Sequence, residues 1–155
     1  MHWADEAVCT STAQALAQRL ALREAFIELH GTLGAGKTTF VRHLLQALGV
    51  QGRIKSPTYA VMESYEVPGL MIWHFDFYRF KDPQEFEDAG FRDVFASTGL
   101  KLAEWPEQAA GLLPVPDLRM ELIPLDGDER RVTFDAYTTR GLALLPDAEP
   151  MRASP

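Results

Sequence analysis

Residues Gly31-Thr32-Leu33-Gly34-Ala35-Gly36-Lys37-Thr38 satisfy the pattern G-x-x-x-x-G-K-[ST] in full. No other feature of the chain constrains its fold as tightly. Average residue usage would produce the pattern by chance in a chain of 155 residues about 0.5% of the time. Its context is the required one: the apolar run Ala25–His30 precedes it as a short strand, and a helical pattern follows. From Lys37 to Leu48 the apolar positions Phe40, Val41, Leu44, Leu45 and Leu48 fall on one face, and Gly49 stands where a C-terminal cap belongs. Glycines let successive backbone N–H groups turn toward phosphate oxygens, and the helix adds the positive end of its dipole. Lys37 supplies a point charge for β- and γ-phosphates, and the Thr38 hydroxyl suits Mg²⁺. The expected nucleotide contacts are Gly31, Leu33, Gly34, Ala35, Gly36, Lys37, Thr38 and Thr39.

A loop of this kind needs a further acid for its metal, usually where a neighbouring strand ends. Two candidates stand there: Asp76 after Leu70–Phe75, and Glu104 after Leu100–Ala103. Guanine-specific loops read their base with an Asn-Lys-x-Asp segment, and this chain contains no asparagine. Adenine is therefore the expected base, with ATP and Mg²⁺ as the ligands.

The rest of the chain frames the loop. A helix is expected over Thr12–Leu22, with Ser11 or Thr12 as its cap. Val61–Val67 and Leu70–Phe75 read as a hairpin about Pro68-Gly69, and Pro83–Ala89 as a short helix capped by Asp82. Late strands are expected over Leu118–Ile123 and Arg131–Tyr137, separated by Asp126-Gly127-Asp128. This order predicts an α/β fold of the P-loop type in three layers, with a mostly parallel sheet and added antiparallel strands. One domain is expected over 1–145, with a flexible tail over 146–155.

Composition narrows the function classes. A net charge of −7 argues against a broad basic face for nucleic-acid phosphates. The single cysteine, Cys9, can form neither an internal disulfide nor a cysteine-based zinc site. The first residues are acidic with no apolar stretch behind them, unlike a secretory leader. The expectation is a cytoplasmic protein with no membrane association.

Three further segments follow the loop in order: Ser56-Pro57-Thr58-Tyr59, His74-Phe75-Asp76-Phe77-Tyr78-Arg79 and Glu104-Trp105-Pro106-Glu107. Together with Gly-Ala-Gly-Lys-Thr-Thr-Phe they resemble the TsaE family, formerly YjeE, bacterial ATPases that assist threonylcarbamoylation of adenosine 37 in tRNA. The resemblance implies that Lys37 and Thr38 are the phosphate lysine and magnesium ligand, with Glu104 the acid at the metal. It implies Trp105 beside the nucleotide, Asp76 near the magnesium or its waters, and Arg130 as a basic residue near the nucleotide. Lys37, Asp76 and Glu104 would then be the catalytic set. Ser56, Pro57, Thr58 and Tyr59 would form a mobile segment that responds to the γ-phosphate. It also implies weak ATPase activity alone and action with the TsaD and TsaB proteins, tRNA being met only through that complex. Thr32 stands where the family usually has Asp or Glu, so the role of that acid in ordering water is not carried over. Two other readings of the residues stay open: a small-molecule kinase, and a nucleotide-gated binding module with negligible turnover.

Of the smaller candidates, His74 reads as a packed or hydrogen-bonding strand residue and Cys9 as a buried apolar one. Phe75, Phe77 and Phe80 read as core, whereas Tyr78 and Arg79 are candidates to face a partner.

The motif generates a direct prediction. Lys37→Ala removes a charge-assisted contact worth about 1.5–3 kcal/mol, so ATP affinity should fall by roughly tenfold to a hundredfold with the fold intact. Isothermal titration of the variant checks it, and an unchanged affinity contradicts the motif reading.

Overall fold

The structure is a computed structural model, and it describes residues 1–147. The expected tail lies, from residue 148 onward, outside the described residues. Among the described residues seven strands form one sheet in the order β1-β7-β6-β2-β5-β4-β3. They are β1 (His2–Trp3), β2 (Phe26–His30), β3 (Met62–Val67), β4 (Leu70–Asp76), β5 (Leu100–Glu104), β6 (Leu118–Pro124) and β7 (Arg130–Ala136). The central strands β6, β2, β5 and β4 run parallel. β3, β7 and β1 add antiparallel pairs at the two sides. The fold is thus a mixed α/β sheet with helices.

Alternation along the strands divides the core between two faces. Ile27, Leu29, Ile72, Leu100, Leu102, Leu118, Met120 and Leu122 pack on one face with α1 (Glu6–Ala17) and α2 (Lys37–Ala47). Phe26, Phe75 and Ala103 point to the other, where α3 (Pro83–Asp88) and α4 (Phe91–Ala96) supply Phe86 and Phe91. Phe75 lies edge-on to Phe91 at 5.2 Å and stacked on Phe95 at 4.7 Å between centroids. Phe77 and Phe80 join this aromatic core. Trp3 of β1 stacks on Phe40 of α2 at 5.6 Å, tying the sheet edge to the helix behind the glycine-rich loop.

Local chemistry explains most boundaries. α2 and the hairpin β3–β4 lie where the sequence puts them, with Gly69 at φ +74° in the turn. Asp82 caps α3 by accepting from the Gln84 N–H. The first helix differs from the expectation. It starts at Glu6, because the Asp5 carboxylate accepts from the Val8 N–H. Ser11 and Thr12 lie inside it, their hydroxyls donating to the Ala7 and Val8 carbonyls. It ends at Ala17, and extended backbone at Arg19 leads into a separate 3-10 turn, Leu20–Glu24. β1, α4 and a short α5 (Thr139–Leu142) are additions that the sequence reading lacked. Cys9 is buried in the core, which pushes its thiol up to about 12 with help from the nearby Glu6 charge.

The parallel order places the loop. β2 has β5 on one side and β6 on the other. The chain leaves β2 through α2 toward the β3–β4 edge, while the connection after β5 goes the opposite way to β6. A crevice opens at the carboxyl ends of strands where connections diverge in this manner, and residues 31–36 lie in it.

Asp117 anchors the opposite end of the sheet. It is buried, and its Oδ2 accepts from the Phe26 N–H at 2.8 Å while its Oδ1 accepts from the Thr138 hydroxyl at 2.7 Å. Asp117→Ala leaves that buried N–H without a partner, and each such group costs about 1–3 kcal/mol. We expect a loss of roughly 2–4 kcal/mol in urea unfolding, with the cleft at the far end of the sheet unaffected in ligand titrations.

Candidate nucleotide site

The loop owes its shape to contacts on its outer side. Gly31 passes so close to β6 that an added Cβ would lie 2.7 Å from the Leu122 carbonyl oxygen. Gly36 closes the loop at φ +103°, a left-handed conformation that favours glycine. Arg130, from the start of β7, donates its Nε–H to the Ala35 carbonyl at 2.9 Å. Its Nη2 lies 3.5 Å from the Gly34 carbonyl, and its Nη1 donates to Gly127 and Glu129. The loop carbonyls are thereby drawn outward.

The start of α2 is bare. Asp5, Asp82 and Thr138 cap α1, α3 and α5 with side-chain oxygens, whereas the Gly36 N-cap of α2 has none. The first N–H groups of an eleven-residue helix thus face an open cleft with the positive end of its dipole. An anion is the natural occupant.

The cleft has a volume of about 530 Å³. It brings together residues 33–39 of the loop with Ser56, Thr58, Asp76, Glu104 and Trp105. Most of the residues singled out in the sequence therefore meet at one place. The Lys37 ammonium donates to the Gly31 carbonyl and lies 3.8 Å above the centre of the Trp105 ring. Burial lowers its pKa from the ordinary lysine value, partly offset by the carboxylates of Glu104, Glu107 and Asp76. Trp105 itself is held at φ +54°, which turns its ring back over the cleft directly after β5 ends.

The two carboxylates are cross-strand neighbours, since Asp76 of β4 stands opposite Glu104 of β5 in the parallel register. Both are buried. Their partners separate them. Glu104 Oε1 accepts from the Thr38 hydroxyl at 2.8 Å, and its Oε2 lies 2.6 Å from His74 Nε2. Asp76 Oδ2 accepts from the Ser56 hydroxyl at 2.8 Å, and its Oδ1 from the Tyr78 N–H at 3.0 Å. Ser56 also shares a hydrogen bond with the Thr58 hydroxyl at 3.1 Å. Glu104 thus belongs with the loop, and Asp76 with the Ser56–Tyr59 segment. Among the described residues no group of three His, Cys, Asp or Glu side chains could hold an ion by itself. One carboxylate and one hydroxyl, both hard oxygen donors, fit Mg²⁺, which normally keeps waters and takes its remaining ligands from substrate phosphates.

The other expected residues fall outside this centre. Tyr59 is 85% exposed and lies 4.8 Å from the Arg79 guanidinium, packed ring to cation. Pro57 does not line the cleft; its carbonyl accepts from the Val61 N–H at 2.7 Å. Arg130 lies on the far side of the loop, bordering a second cavity of about 210 Å³ with Asp5, Glu6, Gly36 and Thr39. Sequence reasoning missed Asp5 and Glu6 there, because nothing local ties the N-terminus to the loop. The His74–Glu104 bond was also missed, although His74 and Asp76 share a strand face two residues apart.

Comparison with known proteins places the chain in a family. The family model described as "Threonylcarbamoyl adenosine biosynthesis protein TsaE" matches residues 3–132. The chain belongs to the TsaE family. It is 45% identical over 115 residues to the tRNA threonylcarbamoyladenosine biosynthesis protein TsaE of Haemophilus influenzae, covering 74% of this chain and 72% of that protein. It is 36% identical over 114 residues to the Bacillus subtilis protein of the same name, covering 74% and 71%. A crystal structure of Bacillus subtilis YdiB superposes with a TM-score of 0.77 at 26% identity, covering 93% of this chain and 88% of that one. TsaE proteins serve the biosynthesis of threonylcarbamoyladenosine in tRNA, and this chain is a member of that family. Among the described residues no helix is long and apolar enough to cross a membrane.

If the cleft hydrolyses ATP, the partners of the two acids predict phenotypes that differ in degree. Glu104→Ala removes the carboxylate beside Thr38, so it should abolish most ATP hydrolysis yet leave nucleotide affinity in EDTA within about threefold. Asp76→Ala should show the same pattern in weaker form. Phosphate-release assays paired with titrations check the order, and a dead Asp76 variant beside an active Glu104 variant would reverse the assignment.

Proposed function

We propose that this protein binds ATP with Mg²⁺ in the cleft and hydrolyses it to support threonylcarbamoylation of adenosine 37 in tRNA, acting with TsaD and TsaB in the cytoplasm. The observation that carries this reading is the convergence of Lys37, Thr38 and Glu104 on the uncapped start of α2. The amides of residues 34–39 and the helix dipole would hold the phosphates. Lys37 would leave the Gly31 carbonyl and the Trp105 ring to reach the β- and γ-oxygens. Thr38 and Glu104 would hold Mg²⁺, which when bound draws charge from the phosphate oxygens. Asp76 would orient water near the metal and, through Ser56, sense whether a γ-phosphate is present. The base would lie in the second cavity, where the Asp5 and Glu6 carboxylates can accept from the amino group of adenine and would repel the carbonyl oxygen of guanine. Arg130 would act there by holding the loop and bordering the base.

The same geometry leaves the hydrolytic step incomplete. Lys37 and Arg79 are the cations lining the cleft, and Arg79 is stacked on Tyr59. Thr32 has no carboxylate with which to order a water. Completion of such a site by an arginine supplied in trans is worth ~10³–10⁵ in rate, and Tyr59, Tyr78 and Arg79 would meet the protein that supplies it.

Turnover by the isolated chain should therefore be slow and should rise on adding TsaD and TsaB. Steady-state phosphate release with and without those proteins, and with tRNA added last, is the measurement. Fast turnover indifferent to them contradicts partner gating. Phosphorylation of an added small-molecule acceptor would instead indicate a kinase. Equal support of the modification reaction by a non-hydrolysable analogue would indicate a nucleotide-gated binding module.

A further inference from the structure

We propose that His74 is a positioning residue that fixes the Glu104 carboxylate for its metal, an inference that rests on the Mg²⁺–ATP reading above. His74 is fully buried on β4. It stands opposite Leu102 in the β4–β5 register and reaches along the sheet face to Glu104. Its Nε2 meets Oε2 at 2.6 Å, while Oε1 of the same carboxylate faces the Thr38 hydroxyl at 2.8 Å. The acid is thus held from behind by one oxygen and presents the other to the loop.

The donor has to be an N–H, because Glu104 offers only acceptor oxygens in its ionised form. With the hydrogen on Nε2, His74 Nδ1 is a bare ring nitrogen with no partner in its buried surroundings. The contact to Glu104 is thus the hydrogen bond that the buried ring makes. That bond holds Oε2 from behind and leaves Oε1 toward the Thr38 hydroxyl.

Without His74 the Glu104 carboxylate would keep only its bond to the Thr38 hydroxyl, with Oε2 unpaired and the group's orientation less fixed. Partners of this kind behind metal ligands typically set metal affinity by about 10–100-fold. His74 should therefore leave the phosphate grip of the loop unchanged and act on the metal alone.

The test uses the full chain, a fluorescent ADP analogue, and the variants His74→Leu and His74→Gln, the second keeping an N–H that can reach a carboxylate. Nucleotide affinity is measured in EDTA and then across a Mg²⁺ titration, with thermal melting as a check on the fold. In EDTA both variants should match the parent within about twofold. The Mg²⁺ concentration at half-effect should rise roughly 10–100-fold in His74→Leu and return most of the way in His74→Gln. Should His74→Leu fail to fold, His74→Asn, whose amide is too short to reach Oε2, takes its place with the same expectation. An unchanged Mg²⁺ titration in the variant lacking the donor overturns the role of His74 alone, as does a loss of EDTA affinity and melting temperature shared by both variants. Absence of any Mg²⁺ effect in the parent protein overturns the Mg²⁺–ATP reading, and this inference with it.

Discussion

The helix dipole and bare amides at the start of α2 are the constraint on which the rest of the structure depends. A helix terminus left without caps is unfavourable in isolation, since its first N–H groups have no partner. Here the fold maintains that state rather than relieving it. Gly31 lets the chain pass close to the Leu122 carbonyl, and Arg130 binds the Ala35 carbonyl. Both contacts reach the loop from the β6–β7 hairpin, far away in sequence. The late strands thus shape the loop, which makes them more than padding on the sheet edge.

Burying two carboxylates beside one another demands compensation, and the cleft supplies it asymmetrically. Asp76 and Glu104 face each other across β4 and β5, where two bare charges would repel strongly. Each is stabilised by two hydrogen bonds, and Lys37 lies nearby as a cation. Asp76 draws its donors from Ser56 and Tyr78, on the segments either side of the cleft. Glu104 draws its donors from Thr38 and His74, on α2 and β4. Glu104 is therefore linked to the helix, and Asp76 to the loop bearing Tyr59. The unusual φ of +68° at Val61, just where that loop re-enters β3, marks a backbone held there by its surroundings.

How much of this was legible in the sequence depended on the range of the interaction. The loop, α2 and the β3–β4 hairpin follow from local periodicity, glycine placement and motif, and were read closely. The first helix was displaced because Ser11 and Thr12 resemble caps, whereas Asp5 has the better geometry with Val8 N–H. α4 went unread because Gly90 replaces a polar cap and its helix is stabilised by Phe91 and Phe95 packing on Phe75. β1 is two residues long and exists only through pairing with Arg131 and Arg130. In the site, residues carried by motifs were found. Those brought in by register, such as His74 on Glu104, or by the N-terminus, such as Asp5 and Glu6, have no local signal.

The resting position of Lys37 bears on how any ligand is recognised. Its ammonium is not waiting in water but is engaged with the Gly31 carbonyl and the Trp105 face. A desolvated cation–π contact is worth about 2 kcal/mol, and a hydrogen bond to a charged group about 1.5–3 kcal/mol. A phosphate gains only what exceeds these. A neutral or weakly charged ligand cannot supply that excess, whereas a polyphosphate reaching both Lys37 and the amides of α2 can. Trp105 thereby bears on selectivity, because the ring that engages the lysine lines the same cleft that a ligand would enter. The left-handed backbone at Trp105, with φ at +54°, is costly for a side chain of this size. Trp105 follows Glu104 directly, and both line the same cleft.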